Sequence, residues 1–221
     1  EYLMKTIEEI TLSLQYQGLS NLGEIFYNLS TPDLYEHALS YGEAQLSEHG
    51  ALVAITSPHT GRSANDKFVV EEASSKEHVW WGKVNKPFSQ DKFNALKSRV
   101  TAYLQNQDLY VLDCIAGADD KYSLPVRVIT QHAWHNLFAK NMFIEATDEQ
   151  LDSFVPGFTI IHAPDFKANP ATDGTRSETF ILLDFSQKLV LIGGTQYAGE
   201  IKKSIFTVLN YLLPLKKVMS M

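Results

Sequence analysis

Two stretches of the chain gather residue types that bind and activate anions. The first is His59-Thr60-Gly61-Arg62-Ser63, inside a polar, Gly- and Pro-containing run over 57–66. An arginine offers a planar fork of N–H groups that matches carboxylate or phosphate oxygens. Gly61 lets the backbone come close to a ligand. On composition alone, a surface turn with a solvated Arg62 stays open as the alternative.

The second stretch is GGTQYAGEIKKS over 193–204. Gly194 and Gly199 have the spacing of the two glycines of a phosphate-cradling P-loop, which requires lysine next. Glu200 stands there instead, and a carboxylate at that position repels phosphates, so the nucleotide-loop reading fails. Gly199 and Glu200 open a helix and place Lys202 and Lys203 in its first turn. The helix dipole disfavours cations there by roughly 0.3–1 kcal/mol each, so stability alone does not select them. Helix N-termini also bind anions through free N–H groups. A lysine under such a field, beside another cation, is expected to lose its proton more readily, and a neutral amine can serve as a base or a metal ligand. Tyr197, in the same glycine-flanked loop, can lie flat against a ligand and donate its O–H. Two solvated lysines beside Glu200 and an ordinary loop aromatic remain the plain alternatives.

Other candidates carry less. His132 and His135 in QHAWHNLF share a helix face, but a zinc site needs further ligands and none is adjacent, so they read as structural histidines. His59 is left open, and Trp80-Trp81 reads as packing. There is no GxSxG elbow, no HExxH and no paired-cysteine cluster.

The elements that must position these residues mix helix and strand. Helices are predicted over 33–48, over 89–105 with Ser89 as cap and Phe93, Leu96, Val100 and Leu104 on one face, over 132–143, and over 200–213, ended by Pro214. Strands are predicted over 51–56 (a buried one), 67–70, 108–116, 124–130 and 158–163, and as a hairpin of 178–184 and 188–192. Several strands are apolar throughout, which predicts an α/β fold with a mixed sheet covered by helices on both faces, a three-layer arrangement. No repeat or linker interrupts the chain, so residues 1–221 are expected to form one domain.

Composition bounds the partners. Lys and Arg number 19 against 26 Asp and Glu, a formal net charge of -7. An acidic chain is a poor candidate for nucleic acid or for anionic lipid, although local cations can still hold a small anion. The single Cys114 cannot form an internal disulfide and reads as a core thiol in a reducing compartment. No apolar run reaches the ~18 residues of a membrane span, and no signal peptide is visible, so a cytoplasmic location is expected. A first residue other than Met and the apolar close LLPLKKVMSM suggest that the chain is cut at both ends.

Four stretches together resemble the ATP-dependent phosphoenolpyruvate carboxykinase family: SPHTGRSANDKFVV (57–70), LPVRVITQHAWHNLFAKNMF (124–143), DGTRSETFILLDF (173–185) and KLVLIGGTQYAGEIKKSIFTVLNYLLP (188–214). The resemblance spans most of the chain in the family's order. It implies the conversion of oxaloacetate and ATP to phosphoenolpyruvate, ADP and carbon dioxide, in gluconeogenesis. It further implies a two-domain enzyme with Mn2+ or Mg2+ bridging substrate and nucleotide. This chain would be the substrate-binding N-terminal domain, with the nucleotide-binding C-terminal domain as its missing partner. By resemblance Arg62 binds the substrate carboxylate, Tyr197 stands at the oxaloacetate and carbon dioxide site, and Gly199 is where backbone meets substrate. Lys203 binds substrate and coordinates the metal, and Lys202 and Lys203 are the catalytic pair. The family commonly has Pro and Lys where this chain has Ala64 and Asn65, and often Arg-Pro where it has Glu145-Ala146. The first departure removes one cation from the loop and spares Arg62. The P-loop and the His and Asp that complete the family's metal site are not in these 221 residues, so the chain alone is expected to be inactive and to hold no cofactor tightly. Two rival readings are a free-standing, non-catalytic anion-binding or regulatory module, and a scaffold that associates through its C-terminal apolar edge.

Overall fold

The computed structural model describes residues 5–219. Eleven strands and seven α-helices alternate among them. The strands are β1 (Ile25–Tyr27), β2 (Gln45–Leu46), β3 (Leu52–Val53), β4 (Lys67–Val70), β5 (Lys86–Phe88), β6 (Leu109–Ala116), β7 (Leu124–Thr130), β8 (Ile144–Glu145), β9 (Phe158–Ala163), β10 (Phe180–Asp184) and β11 (Leu189–Gly193). The helices are α1 (Ile7–Gln15), α2 (Thr31–Ser40), α3 (Gln90–Tyr103), α4 (Ala133–Met142), α5 (Asp148–Asp152), α6 (Pro170–Asp173) and α7 (Gly199–Leu215).

Nine strands form one mixed sheet in the order β1-β6-β7-β9-β11-β10-β4-β5, with β8 paired to β6. The β6–β7 and β10–β11 pairs are antiparallel, and β7–β9, β9–β11, β10–β4 and β4–β5 are parallel. Side chains alternate across a strand, so the apolar runs serve two cores at once. Leu189, Leu191, Phe180, Leu182 and Ile161 face α1 and α3, which contribute Ile10, Leu14, Phe93 and Leu96. Their neighbours Val190, Ile192, Ile181, Leu183 and Ile160 face α4 and α7, which contribute Ala139, Ile201, Ile205 and Val208. The fold is therefore α/β with a large mixed sheet flanked by helices, in three layers.

The predicted helix over 89–105 is α3, with the Ser89 side chain accepting from Lys92 N and all four of the named apolar residues buried. Four expectations need correction. The helix expected over 33–48 is α2, capped by Ser30 and ended after Ser40, where Gly42 takes a left-handed φ of 68°. Residues 51–56 are not a buried strand. They contain only the two-residue β3, paired with β2 outside the main sheet, with Val53 52% and Ile55 84% exposed. Trp80 does not pack, being 89% exposed, while Trp81 Nε1 donates to Lys76 O. The last helix runs on through Pro214 to Leu215.

Strands that read as apolar also carry a buried ion pair. Asp113 on β6 and Arg127 on β7 are register partners, both 1% exposed. Arg127 Nε and Nη2 donate to the two oxygens of Asp113 at 2.7 and 2.8 Å, Tyr27 Oη adds a bond to Asp113 at 2.8 Å, and Arg127 Nη1 reaches Ser13 Oγ. The pair fastens β1, β7 and α1 around β6. Removing one partner strands a buried charge, which costs about 3–5 kcal/mol, whereas replacing both with apolar groups costs far less. Arg127→Met is therefore expected to lower the urea midpoint sharply, and Asp113→Leu/Arg127→Met to recover most of it. A double variant no more stable than Arg127→Met would disprove this.

Candidate functional site

The two stretches singled out in the sequence meet at one end of the sheet. Residues 57–66 lead into β4, and residues 194–198 lead out of β11 into α7. Parallel pairing of β4 with β10 places Lys67 beside Ile181, and antiparallel pairing of β10 with β11 places Phe180 beside Gly193. The start of β4 and the end of β11 are thereby held on either side of the start of β10.

Each loop is fastened by charged side chains. Asp66, 2% exposed, accepts from Arg176 Nε at 2.9 Å, Arg176 Nη2 at 3.1 Å and Ser177 Oγ at 2.9 Å. These bonds tether the Arg62 loop to the segment before β10. Across the gap, Glu200, only 4% exposed, accepts the Ser63 N–H on Oε1 at 2.7 Å. Burial pushes the Glu200 carboxyl above its usual range, opposed by the Ser63 N–H and by the positive charge of Arg62.

Between the loops lies a cleft of about 260 Å3, lined by Arg62, Lys67, Lys83, Glu200 and Lys203. Four cationic side chains and one buried carboxylate thus surround a space of small-metabolite size. Burial, then the charge of Arg62, lowers the Lys203 pKa. Its Nζ lies 4.3 Å from the centroid of the Phe206 ring, one turn along α7. Lys67 is affected more strongly: burial, then Lys203 and Arg62, bring it down to about 8, with Glu200 opposing. Protonated, it adds positive charge to the cleft. Deprotonated, it is an amine able to accept a proton.

Of the residues singled out in the sequence, Arg62 and Lys203 line this cleft and the other three do not. Lys202 is exposed on the neighbouring side of α7. Tyr197 and Gly199 form a unit of their own, because a Cβ at position 199 would stand 2.4 Å from Tyr197 Cε1. Only glycine lets the ring lie against the start of α7. The sequence reading missed Lys67, Lys83 and the constructive part of Glu200. The available signal was a carboxylate in the first turn of a helix beside two lysines, which pointed to Glu200 alone. His132 lies 3.5 Å from Glu43 Oε1 and 3.3 Å from Asp165 Oδ2, and His135 Nε2 is 2.7 Å from Gln196 O. His59 Nε2 is 3.3 Å from Thr179 Oγ1.

A divalent ion takes about six ligands, chiefly oxygens. No group of three or more His, Cys, Asp and Glu side chains converges among the described residues. Lys203 is thus at most a single nitrogen donor, and these residues do not make a metal site by themselves. No helix among the described residues is long and apolar enough to cross a membrane.

Lys67 generates a stability prediction. Its folded pKa of about 8 lies below the ordinary 10.5, so the unfolded chain holds the proton more tightly. Folding pays a penalty that is fully present below about pH 8 and vanishes as the pH rises toward 10.5. Lys67→Met is expected to stabilise the chain at pH 7 by on the order of 1 kcal/mol, a rise in Tm of about 2–4 °C, and to lose that advantage near pH 10. Calorimetric melting at the two pH values checks it, and a variant less stable than the parent at pH 7 would refute it.

Comparison with known proteins bears on the origin of this arrangement. A family model described as phosphoenolpyruvate carboxykinase matches residues 23–221. Relatives named phosphoenolpyruvate carboxykinase (ATP) include one from Geotalea uraniireducens, 53% identical over 94% of this chain and 39% of its own length. The Thermus thermophilus relative is 52% identical over 94% of this chain and 40% of its own length. The Brevibacillus brevis relative is 54% identical over 90% of this chain and 38% of its own length. The chain therefore spans about two fifths of the length of these relatives. Arg62, Lys67, Glu200 and Lys203 all fall inside the matched residues, and the chain belongs to the phosphoenolpyruvate carboxykinase family.

Proposed function

We propose that this chain is the substrate-binding, N-terminal domain of an ATP-dependent phosphoenolpyruvate carboxykinase, and that the cleft between its two loops receives a small dicarboxylate, oxaloacetate. The observation that carries this reading is the convergence of Arg62 and Lys203, from two loops far apart in the chain, on one cleft in which Lys67 and Lys83 add further positive charge. Arg62 would clamp a carboxylate through its fork of N–H groups. Lys203 and Lys67 would face the carbonyl end, where negative charge appears.

In the proposed reaction the C–C bond to the departing carboxylate breaks and carbon dioxide leaves. The electron pair stays on the remaining fragment as an enolate, whose oxygen then bonds to the γ-phosphorus of ATP as ADP departs. Cations fixed in place before the enolate forms stabilise it without reorganisation in the transition state. Lys202, exposed beside the cleft, would act on substrate or phosphate from its rim, and Tyr197 would serve the carbon dioxide end. With the divalent ion expected of the family bound, Lys203 would instead be deprotonated and lend its lone pair, the other donors coming from outside the described residues. That ion, Mn2+ or Mg2+, would supply further neutralising positive charge.

The nucleotide half of the reaction has no binding loop in these 221 residues, since Glu200 occupies the position a P-loop gives to lysine. The purified chain mixed with ATP and oxaloacetate is accordingly expected to yield no phosphoenolpyruvate above background. Measurable turnover would refute that assignment. Binding gives the direct test. Calorimetric titration with oxalate, which mimics the enolate, is expected to show saturable binding that Arg62→Ala weakens about ten- to hundredfold, the worth of a charge-assisted contact. Equal affinity in the two proteins would overturn the reading.

A further inference from the structure

The segment joining β11 to α7 is held in an unusual way. Its residues leave the sheet at Gly193, and α7 begins without a side-chain cap, its N-cap residue Ala198 being itself in the αR conformation. Neither a strand ladder nor a cap sets the pitch of the helix that carries Glu200 and Lys203. Three consecutive carbonyls of this segment each face a side chain from a different part of the fold. Thr179 Oγ1 donates to Gly194 O at 2.8 Å, His162 Nε2 stands 2.8 Å from Thr195 O, and His135 Nε2 stands 2.7 Å from Gln196 O. Outside this row, Gln196 Nε2 donates to Asp165 Oδ1 at 2.8 Å, and the Tyr197 N–H donates to Thr195 Oγ1 at 3.1 Å.

A carbonyl only accepts, so each histidine must carry its proton on Nε2 to make its bond. The other ring nitrogen of both histidines, Nδ1, is buried without a hydrogen-bond partner. A second proton there would be an unpaired buried donor on a charged ring, so both rings are built to stay neutral and singly protonated. His135 is 0% and His162 1% exposed, with ring centroids 4.3 Å apart, and Trp134 lies 3.9 Å from His135 on its own helix. Burial accordingly pushes both pKa values down, His162 to about 4. The rings are confined on several sides, which makes them rigid posts.

We propose that His135 and His162 are positioning residues of the anion cleft: through their hydrogen bonds to the carbonyls of Gln196 and Thr195 they fix the start of α7, and with it Glu200, Lys203 and the Tyr197 ring. This rests on the dicarboxylate reading above and adds to it the groups that set the affinity without touching the ligand. Truncating either ring frees one carbonyl and loosens the helix start. The Glu200 bond to Ser63 then no longer holds Arg62 and Lys203 at a fixed separation.

The test uses the full 221-residue chain, with oxalate as probe. His135→Leu and His162→Leu remove the donor, whereas His135→Gln and His162→Gln keep an N–H near the Nε2 position. The leucine variants are expected to bind oxalate about three- to tenfold more weakly, the worth of one hydrogen bond, and the glutamine variants to recover most of that loss. A merely structural role would lower Tm in all four variants and leave the affinity of the folded protein unchanged, and that result overturns the proposal. Nitrogen-15 spectra of the histidine rings in the unsubstituted chain give an independent check that needs no variant to fold. Both rings are expected as the neutral Nε2–H tautomer at pH 7, and an Nδ1–H tautomer in either sinks the idea. If the unsubstituted chain binds no oxalate, the dicarboxylate reading and this inference fall together. If it binds and only the histidine variants show no effect, this inference falls alone.

Discussion

The hydrogen bond from the Ser63 N–H to the buried carboxylate of Glu200 joins two separate loops directly into one site. Without it, Arg62 belongs to a polar turn before an inner strand and Lys203 to the first turn of a helix. A carboxylate at 4% exposure gains little from water and needs partners. It finds a backbone donor from one loop and the positive potential of Arg62 and Lys67. The same charge that forbids a P-loop at this position is what allows several cations to crowd into one cleft. Glu200 offsets part of their mutual repulsion and leaves the remainder for an anionic ligand.

Such a cleft works against the stability of the fold. Lys67 sits at the first residue of β4 with its amine largely removed from water and facing like charges, which a chain shaped for stability alone would avoid. The rest of the sheet shows how ions are kept when structure is the aim. Asp113 and Arg127 meet in a two-pronged pair, with Tyr27 and Ser13 completing the shell. One charged cluster is satisfied internally and the other is left short of partners, a contrast in keeping with the binding role proposed for the cleft.

Much of the architecture was legible in the sequence because the inner strands are long and unbroken. Residues 124–130 and 158–163 are recovered as β7 and β9, and the period of Phe93, Leu96, Val100 and Leu104 marks the inner face of α3. What escaped was short or depended on distant partners. β1 has three residues and exists because it pairs with β6, and β5 holds Pro87 in an edge strand that the pattern alone demotes. The run over 51–56 has strand composition but no neighbour other than β2, so its apolar residues stay outside the core. At the site, Arg62 and Lys203 could be named because residue type and local geometry pointed to them. The importance of Lys67 could not, since it arises from the register of β4 against β10 and from the approach of α7, neither of which is written in its neighbours.

Lys67, Lys203 and Thr207 line the polar cleft and also the wall of a neighbouring groove of about 470 Å3, whose far side is built from Val79, Phe185 and Tyr211. The two spaces therefore share a rim. For anyone seeking an inhibitor, that rim defines a shape: an acidic head seated among the amines, joined by a short spacer to an aromatic arm lying against the Phe185 and Tyr211 rings, which stack 4.0 Å apart. A molecule of that form would draw its selectivity from a surface that the proposed dicarboxylate is too small to reach.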